Sequence, residues 1–400
     1  MNLNIDRLYQ IGRKASRLIL GLMSGTSVDG LDVALCKCTG SGSDTQIEIL
    51  HFETVVYNQD YREEIKSVFS KRSVDLQQVC LLNGWIAEQH AGIIKGCLHR
   101  WGVNTPTIDL IASHGQTIYH APKFLHGLNK FSNATLQIGD GDHLAVKTGI
   151  ITLSDFRQKH IAAGGEGAPL AVYGDYLVFS HKGENRIMLN IGGIANFTFL
   201  PGDVDATRVF STDTGTGNTL MDAYIQQHFP GQYFDDQSAI ASKGRINEAL
   251  LGYLKQHEFF QKKFPKTTGP ELFNLSYIEL TKKAANVAGL SHEDMMATLN
   301  RFSADTIAGA IHQCSAALNN VVIYSSGGGM HNPLLMNNIR EQLPGYTFKT
   351  TASLGIDPDA KEALLFAVLA NEAVAGVHIK TGSGSMDIPN VSMGKISFPD

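Results

Sequence analysis

No two of the five cysteines, Cys36, Cys38, Cys80, Cys97 and Cys314, stand at CxxC spacing, which argues against a disulfide framework and against a cysteine zinc site. They read as reduced core thiols, with Cys36 and Cys38 on one face of a strand. An excess of positive charge is also missing. With 33 Lys+Arg against 38 Asp+Glu the formal net charge is -5, so no global attraction draws the chain to nucleic acid or to an anionic membrane. No apolar run reaches the length of a membrane span. The basic residues Arg7, Arg13, Lys14 and Arg17 precede no apolar segment with a small-residue cleavage site. A cytoplasmic protein working on small molecules is expected, with residues before Arg17 forming a short helix or a loose arm.

Several familiar signatures fail as well. GxxxxGK[ST] and HExxH are absent, and Gly25-Thr26-Ser27-Val28-Asp29 ends in aspartate where a nucleophile elbow needs glycine. Gly215-Thr216-Gly217 lacks the third glycine of a dinucleotide fingerprint. His114 and His120 have five residues between them, a poor helical metal pair, so structural and substrate-contact roles both stay open for them.

What is present points to a globular α/β enzyme. The chain has 400 residues, 43% hydrophobic and 18% charged, enough to bury a sizeable core in two domains, and its 40 glycines favour tight turns and backbone-lined sites. Strand-like apolar runs (18–22, 31–36, 47–54, 110–113, 151–154, 187–191, 197–200, 321–325) alternate with helical patterns (61–70, 76–100, 220–228, 246–256, 304–318, 359–374). The Gly- and Ser-rich stretch 380–385 reads as a linker before the last strand-like residues.

The most informative segment is Gly21-Leu22-Met23-Ser24-Gly25-Thr26-Ser27-Val28-Asp29-Gly30-Leu31-Asp32 between two apolar runs. A hairpin tip of this composition offers backbone N–H groups and hydroxyls to phosphate oxygens, and Asp29 and Asp32 to a Mg²⁺ ion. The same plan recurs at 187–200, where Gly192, Gly193 and Asn196 occupy the second turn. A duplicated unit of this kind would place one phosphate-facing turn in each of two domains, with chance similarity of two hairpins as the equal alternative. Three more segments look chemical. Asp155 and Arg157 follow a strand and precede the glycine-rich bend 164–170, where strand ends meet a ligand crevice, although an isolated Asp-x-Arg pair is more often a local salt bridge. Asp213 opens the turn Thr214-Gly215-Thr216-Gly217, where it could cap the next helix or act as a base. Gly327-Gly328-Gly329 follows a strand and leads into a helix, which suits backbone contact with a nucleotide.

Taken together and in this order, Gly21 to Asp32, Ser113-His114-Gly115-Gln116-Thr117, Asp155-Phe156-Arg157, Leu189 to Asn196, Asp213 to Asp222, Pro265-Lys266-Thr267-Thr268-Gly269 and Gly327-Gly328-Gly329 resemble the anhydro-N-acetylmuramic acid kinases of the sugar kinase/Hsp70/actin superfamily. The resemblance implies a two-domain actin-like, ribonuclease-H-like ATPase fold with duplicated mixed β-sheet cores and an interdomain cleft. The domains would comprise 1–154 with about 371–400, and 155–370. It also implies ATP, Mg²⁺, a homodimer and a 1,6-anhydro sugar, whose bridge is opened by water while O6 is phosphorylated in peptidoglycan recycling. Mapped by motif, Gly25, Thr26, Ser27, Val28, Asp29, Gly30, Leu31 and Asp32 form the phosphate loop, with Gly192, Gly193, Asn196, Gly327, Gly328 and Gly329 also toward ATP. Asp213 matches the general base. Thr117, Asp155 and Arg157 resemble substrate-facing positions, and the bidentate donors of Arg157 suit the lactyl carboxylate. His160 and Glu166 depart from the family's usual aspartate and glutamine and leave fine specificity open. The rival readings are a kinase for a simpler anhydrosugar such as levoglucosan, a nucleotide-switched module on the same fold, and a glycosidase with paired carboxylates.

Overall fold

The computed structural model describes residues 2–167, 170–376 and 391–400. They group into two units, Met1–Phe179 with Asp359–Asp400, and Ser180–Pro358. The boundaries expected at 154/155 and 370/371 therefore lie elsewhere. Residues 155–179 stay with the first sheet because Phe156 and the helix Ala171–Phe179 pack against the returning helix Lys361–Ala375.

In the first unit, β1 (Ser16–Ser24), β2 (Gly30–Thr39) and β3 (Gln46–Val56) form an antiparallel meander, and β4 (Leu110–Ala121) and β6 (Thr152–Ser154) add in parallel beside β1. β5 (Ala134–Ile138) pairs with the far half of β4. In the second unit β7 (Asn185–Ile191), β8 (Ile194–Leu200) and β9 (Phe210–Thr216) repeat the meander, and β10 (Val321–Ser326) and β11 (Thr347–Thr350) add in parallel beside β7. β12 (Lys395–Ser397) returns to pair antiparallel with β6. The orders β3-β2-β1-β4-β6 and β9-β8-β7-β10-β11 match in sequence and in sense. The duplicated core expected from the echo of the two hairpins is thus a property of the topology, the one implied for an actin-like, ribonuclease-H-like fold.

Burial follows the topology. β10, flanked on both sides by parallel neighbours, is buried along its whole length, whereas the outer strand β3 alternates and carries Glu48 and Glu53. Helix Lys361–Ala375 buries Ala363, Leu364, Phe366, Ala367, Val368, Leu369 and Ala370, and its small residues let it lie directly on β1. An added Cβ on Gly21 would stand 2.0 Å from the Ala363 carbonyl oxygen. The opposite face of the sheet is covered by the long helix Leu76–Trp101, ended by Gly102 in the left-handed conformation.

The residues before Arg17 settle as a helix, Leu3–Arg13, capped by the Asn2 side chain. Its Asn4 amide donates to the Asp400 carbonyl at 3.2 Å, and the buried Arg17 donates to Asn371 Oδ1 at 2.6 Å and Gly40 O at 2.5 Å. The core-thiol expectation holds for Cys36, Cys38 and Cys97 but not for Cys80, which sits on the solvent face of its helix, nor for the half-buried Cys314. Three strands escaped the sequence reading for physical reasons. Phe210–Thr216 is dominated by threonine, serine and glycine, and Ala134–Ile138 and Thr347–Thr350 are only five and four residues long and mix polar with apolar residues. The helix expected over 304–318 begins already at His292, capped by Ser291. The stretch 380–385 lies outside the described residues.

Gly21→Ala is expected to lower the thermal unfolding midpoint, at a cost of about 1–3 kcal/mol from overpacking against backbone. Gly92→Ala, at an exposed helical site with nothing within 4 Å of the new methyl, is expected to hold or raise it. Differential scanning calorimetry of the two variants checks both signs.

Candidate functional site

The turn between β1 and β2 is built on a strained residue. Val28 takes φ +56, a conformation that costs a β-branched side chain about 1–2 kcal/mol. Burial of that side chain in the core beside Leu31 offsets the strain, and the Val28 amide donates to Gly25 O at 3.3 Å. Thr26 and Ser27 are left exposed at the tip, with no acceptor for their backbone amides among the described residues. Asp29 is also exposed, and its Oδ1 accepts from Ser27 Oγ at 2.8 Å and from the Gly30 amide at 3.1 Å. Asp32, half-buried on β2, accepts from Thr54 Oγ1 at 2.6 Å. Burial and the acids Glu362, Asp29 and Asp359 raise its carboxyl above the ordinary range against that one donor. Among the described residues no three His, Cys, Asp or Glu side chains converge as a cation cage.

Thr117, Asp155 and Arg157 belong to the same unit. Thr117 Oγ1 accepts from Gln137 Nε2 at 3.0 Å. Asp155, with φ +57, precedes the helix Phe156–Ala162 and pairs with Lys395 of β12, so the local Asp155–Arg157 salt bridge does not form. Arg157 donates instead from Nε to His114 Nε2 at 3.1 Å and from Nη1 to Gly167 O at 2.6 Å. Its Nη2 has no partner among the described residues. Burial pulls its pKa to about 10, against the attraction of Glu362, so it remains a cation at neutral pH.

This geometry answers the question left open for the two histidines. His114 is buried, its Nδ1–H donates to Gly115 O at 2.9 Å, and its Nε2 lone pair receives Arg157. Burial, and next the Arg157 charge, bring its pKa to about 3, which keeps the lone pair available. His114 therefore aims the guanidinium. His120 is exposed at the end of β4. His160 accepts from the Gly167 amide at 3.0 Å, so residue 167 is gripped at both its N–H and its carbonyl. Glu166, half-buried beside it, has its carboxyl raised by burial.

In the second unit the carbonyls of Gly192 and Gly193 accept from the amides of Gly217, Asn218 and Thr219 at 2.7–3.1 Å, locking the hairpin turn to the start of the helix Thr219–His228. Gly217 is required there, since a Cβ would stand 2.3 Å from Gly192 O. Asn218, not Asp213, holds the helix cap position. Asp213 lies inside β9, opposite Asn196. The register steps from Ala195↔Gly215 to Asn196↔Asp213, so Thr214 is an extra residue, a β-bulge that re-aims its neighbour. The segment 265–269 runs alongside: the Asp213 amide donates to Lys266 O at 2.9 Å, and Asp213 Oδ2 accepts from the Thr268 amide at 2.8 Å. Burial raises this carboxyl to about 6, the Thr268 bond opposing and Glu271 adding.

The three consecutive glycines differ in what they permit. Gly327, at φ +82, would bring a Cβ within 2.5 Å of Asn190 Oδ1, and Gly329 within 2.3 Å of Ile191 Cγ2, whereas Gly328 has nothing within 4 Å. Only Gly328 turns toward open space. Glu362 and Glu271 escaped the sequence reading, and Lys266 entered it only as part of the segment 265–269, with no role of its own. For Glu362 the one available signal was Lys361-Glu362 opening an otherwise apolar helix, too weak to separate from an ordinary first turn.

A family model described as anhydro-N-acetylmuramic acid kinase matches residues 17–398. Proteins named anhydro-N-acetylmuramic acid kinase from Pseudoalteromonas atlantica and Pseudoalteromonas translucida are 58% and 56% identical, each aligned over the full length of both chains. One from Caldanaerobacter subterraneus subsp. tengcongensis is 38% identical over 98% of this chain and 100% of its own. A solved ROK family glucokinase from Streptomyces griseus aligns over 88% of this chain and 98% of its own, at 13% identity and a TM-score of 0.33, a likeness too loose to bear on the chemistry.

Gly327→Ala and Gly329→Ala are expected to lower thermal stability, and Gly328→Ala to leave it within the range of surface substitutions, about ±0.5 kcal/mol. Melting curves compared with ATP-analogue titrations separate the two effects. A loss of affinity in Gly328→Ala at unchanged stability reports nucleotide contact at that residue.

Proposed function

The chain belongs to the anhydro-N-acetylmuramic acid kinase family, and from that premise we propose that this ATP-dependent sugar kinase opens the 1,6-anhydro bridge of 1,6-anhydro-N-acetylmuramic acid with water and phosphorylates O6. The product is N-acetylmuramic acid 6-phosphate, a step in peptidoglycan recycling. The observation that carries the reading is Asp213, a carboxylate re-aimed by a bulge, fixed by the Thr268 amide and raised to about 6, which suits proton transfer near neutrality.

In the proposed reaction Asp213 takes a proton from one water as its oxygen bonds to the anomeric carbon. The bond from that carbon to O6 breaks, O6 takes the γ-phosphoryl group, and ADP leaves. Such a transfer needs positioning and charge neutralisation rather than a covalent nucleophile. The Gly25–Asp32 segment, whose Thr26 and Ser27 amides have no acceptor among the described residues and whose Thr26 side chain is exposed, supports a phosphate-binding role, and Gly328 supports backbone approach to the nucleotide. Gly192, Gly193 and Asn196 support it indirectly, by fixing the turn behind Asp213. Arg157, held by His114 and Gly167 with Nη2 to spare, suits the lactyl carboxylate, with Thr117 and Asp155 nearby in the same unit.

Asp32, acid-surrounded and met by a single hydroxyl donor, fits a cation, and with Asp29 it would hold Mg²⁺ through retained waters. The bound ion would supply charge neutralisation on the phosphates. A homodimer and a cytoplasmic location complete the reading and rest on the family resemblance alone.

A coupled ADP-release assay with Mg²⁺-ATP, comparing 1,6-anhydro-N-acetylmuramic acid, levoglucosan and no sugar, tests it. Turnover on the muramic sugar, with a product heavier by both water and phosphate, is expected. Preference for levoglucosan moves the enzyme to the simpler sugar, and sugar-independent turnover favours a nucleotide switch. Asp213→Asn is expected to keep ATP binding while losing roughly 10²–10⁴-fold in turnover, because the amide cannot accept the proton.

A further inference from the structure

A chain of buried polar side chains runs from the middle of helix Leu76–Trp101 to the turn after β1. Gln116, fully buried on β4, brings Nε2 within 3.1 Å of Gly25 O and 3.2 Å of Thr117 O. Both carbonyls can only accept, so Gln116 donates to both and its Oε1 is left facing Ser24 Oγ at 2.6 Å. The Ser24 hydroxyl therefore donates to Gln116 and accepts from the Tyr57 hydroxyl at 2.8 Å. Tyr57, its proton committed, accepts from His90 Nε2 at 2.9 Å, which places a proton on that nitrogen. Burial lowers the His90 pKa to about 4 and so keeps the imidazole neutral, with that as its one proton. Every proton in the relay has one direction: His90 to Tyr57 to Ser24 to Gln116 to the two backbone carbonyls.

The backbone ladder gives way where this relay ends. Between β1 and β4 the register steps from Leu22↔Ser113 to Ser24↔Gln116, and between β4 and β5 it breaks again between Thr117 and Tyr119. Gln116 and Thr117 thus lie between two register steps, still paired with Ser24, Ile138 and Gln137, and side-chain bonds add to that pairing. One end of the Gln116 fork holds Gly25, the first residue of the strained turn containing Val28; the other holds Thr117.

We propose that Ser24, Tyr57 and His90, acting through Gln116, form a positioning relay that sets the Gly25–Asp29 turn for the phosphates of ATP and, through the same carboxamide, Thr117 for the sugar. The inference rests on the reading of that turn as the phosphate site. None of the relay's four side chains touches a reactant; they act through backbone carbonyls. A role in fold stability alone would make any hydroxyl of the cluster equivalent. The relay makes two of them unequal, because Tyr61, stacked on Tyr57 at 3.7 Å and 3.1 Å from the same His90 nitrogen, interacts with Tyr57 and Ser24 but does not itself hold the short Ser24 to Gln116 link, which Tyr57 meets at 2.8 Å.

Titration of the full chain with a non-hydrolysable ATP analogue, at a temperature well below every variant's melting point, tests this with Ser24→Ala, Tyr57→Phe and Tyr61→Phe. Ser24→Ala and Tyr57→Phe are expected to weaken binding by about tenfold, the effect of leaving one buried partner unmade, while Tyr61→Phe stays within about twofold of the parent. In turnover assays the first two should raise KM for ATP and for the sugar more than they lower kcat. Unchanged affinity in all three variants, or equal weakening in all three, overturns the relay. Failure of the parent chain to bind the analogue overturns the phosphate-site reading, and the relay with it.

Discussion

A carboxylate that takes a proton near neutrality must lose much of its water without losing its place, and the backbone around Asp213 meets both demands. The bulge at Thr214 turns the residue out of the regular pleat of β9, and the neighbouring segment 265–269 ties its amide and one carboxylate oxygen by backbone bonds. Burial raises the carboxyl, and the Thr268 amide opposes the rise, leaving it at about 6. Thr214 Oγ1 bonds back to Ala195 O at 3.1 Å and Thr212 Oγ1 receives the Lys266 amide at 3.0 Å, so the irregular strand is secured on both edges. Lys266 itself lies 4.5 Å above the Phe259 ring with its ammonium on the Phe259 carbonyl, an anchor for the segment that supplies Thr268.

The same economy appears in each unit. Both sheets put a short hairpin at the head of the same five-strand order, and in each unit a glycine turn is tied by polar side chains. In the first unit the fork of Gln116 holds Gly25. In the second, Asn332 ends the turn begun by Gly327, its Oδ1 accepting from Ser238 Oγ at 2.6 Å, the Leu335 amide at 2.9 Å and Asn300 Nδ2 at 3.1 Å. Polar networks of this kind hold exposed turns in one conformation, which suits the proposed role of backbone groups that meet charged oxygens without reorganising.

Much of this was legible in the residues, for reasons that can be named. The apolar runs of β1, β2, β7 and β10 are buried on both faces and announce themselves, and the repeated hairpin pointed to a duplicated core. β9 did not announce itself, because Ser211 to Thr216 carry the polar and glycine residues that a bulged strand at a site requires. Asp213 was thereby legible as a candidate functional residue but not as a strand residue, and only the structure shows that the helix cap position belongs to Asn218. The pairing of Asp155 with Lys395, distant in sequence, and the aiming of Arg157 by His114 depend on tertiary placement that no local spacing encodes. The domain boundary shifted for the same reason, since helix Lys361–Ala375 returns to the first sheet only through side-chain packing.

The claim at the centre is that Asp213 is held as a base with its carboxyl raised toward neutrality. Carboxyl ¹³C shifts of aspartate-labelled protein, with Asp213→Asn to assign the signal by difference, measure this directly. A titration midpoint near 6 in the ligand-free enzyme is the predicted result. A midpoint at or below about 4, where an ordinary aspartate ionises, would contradict the account.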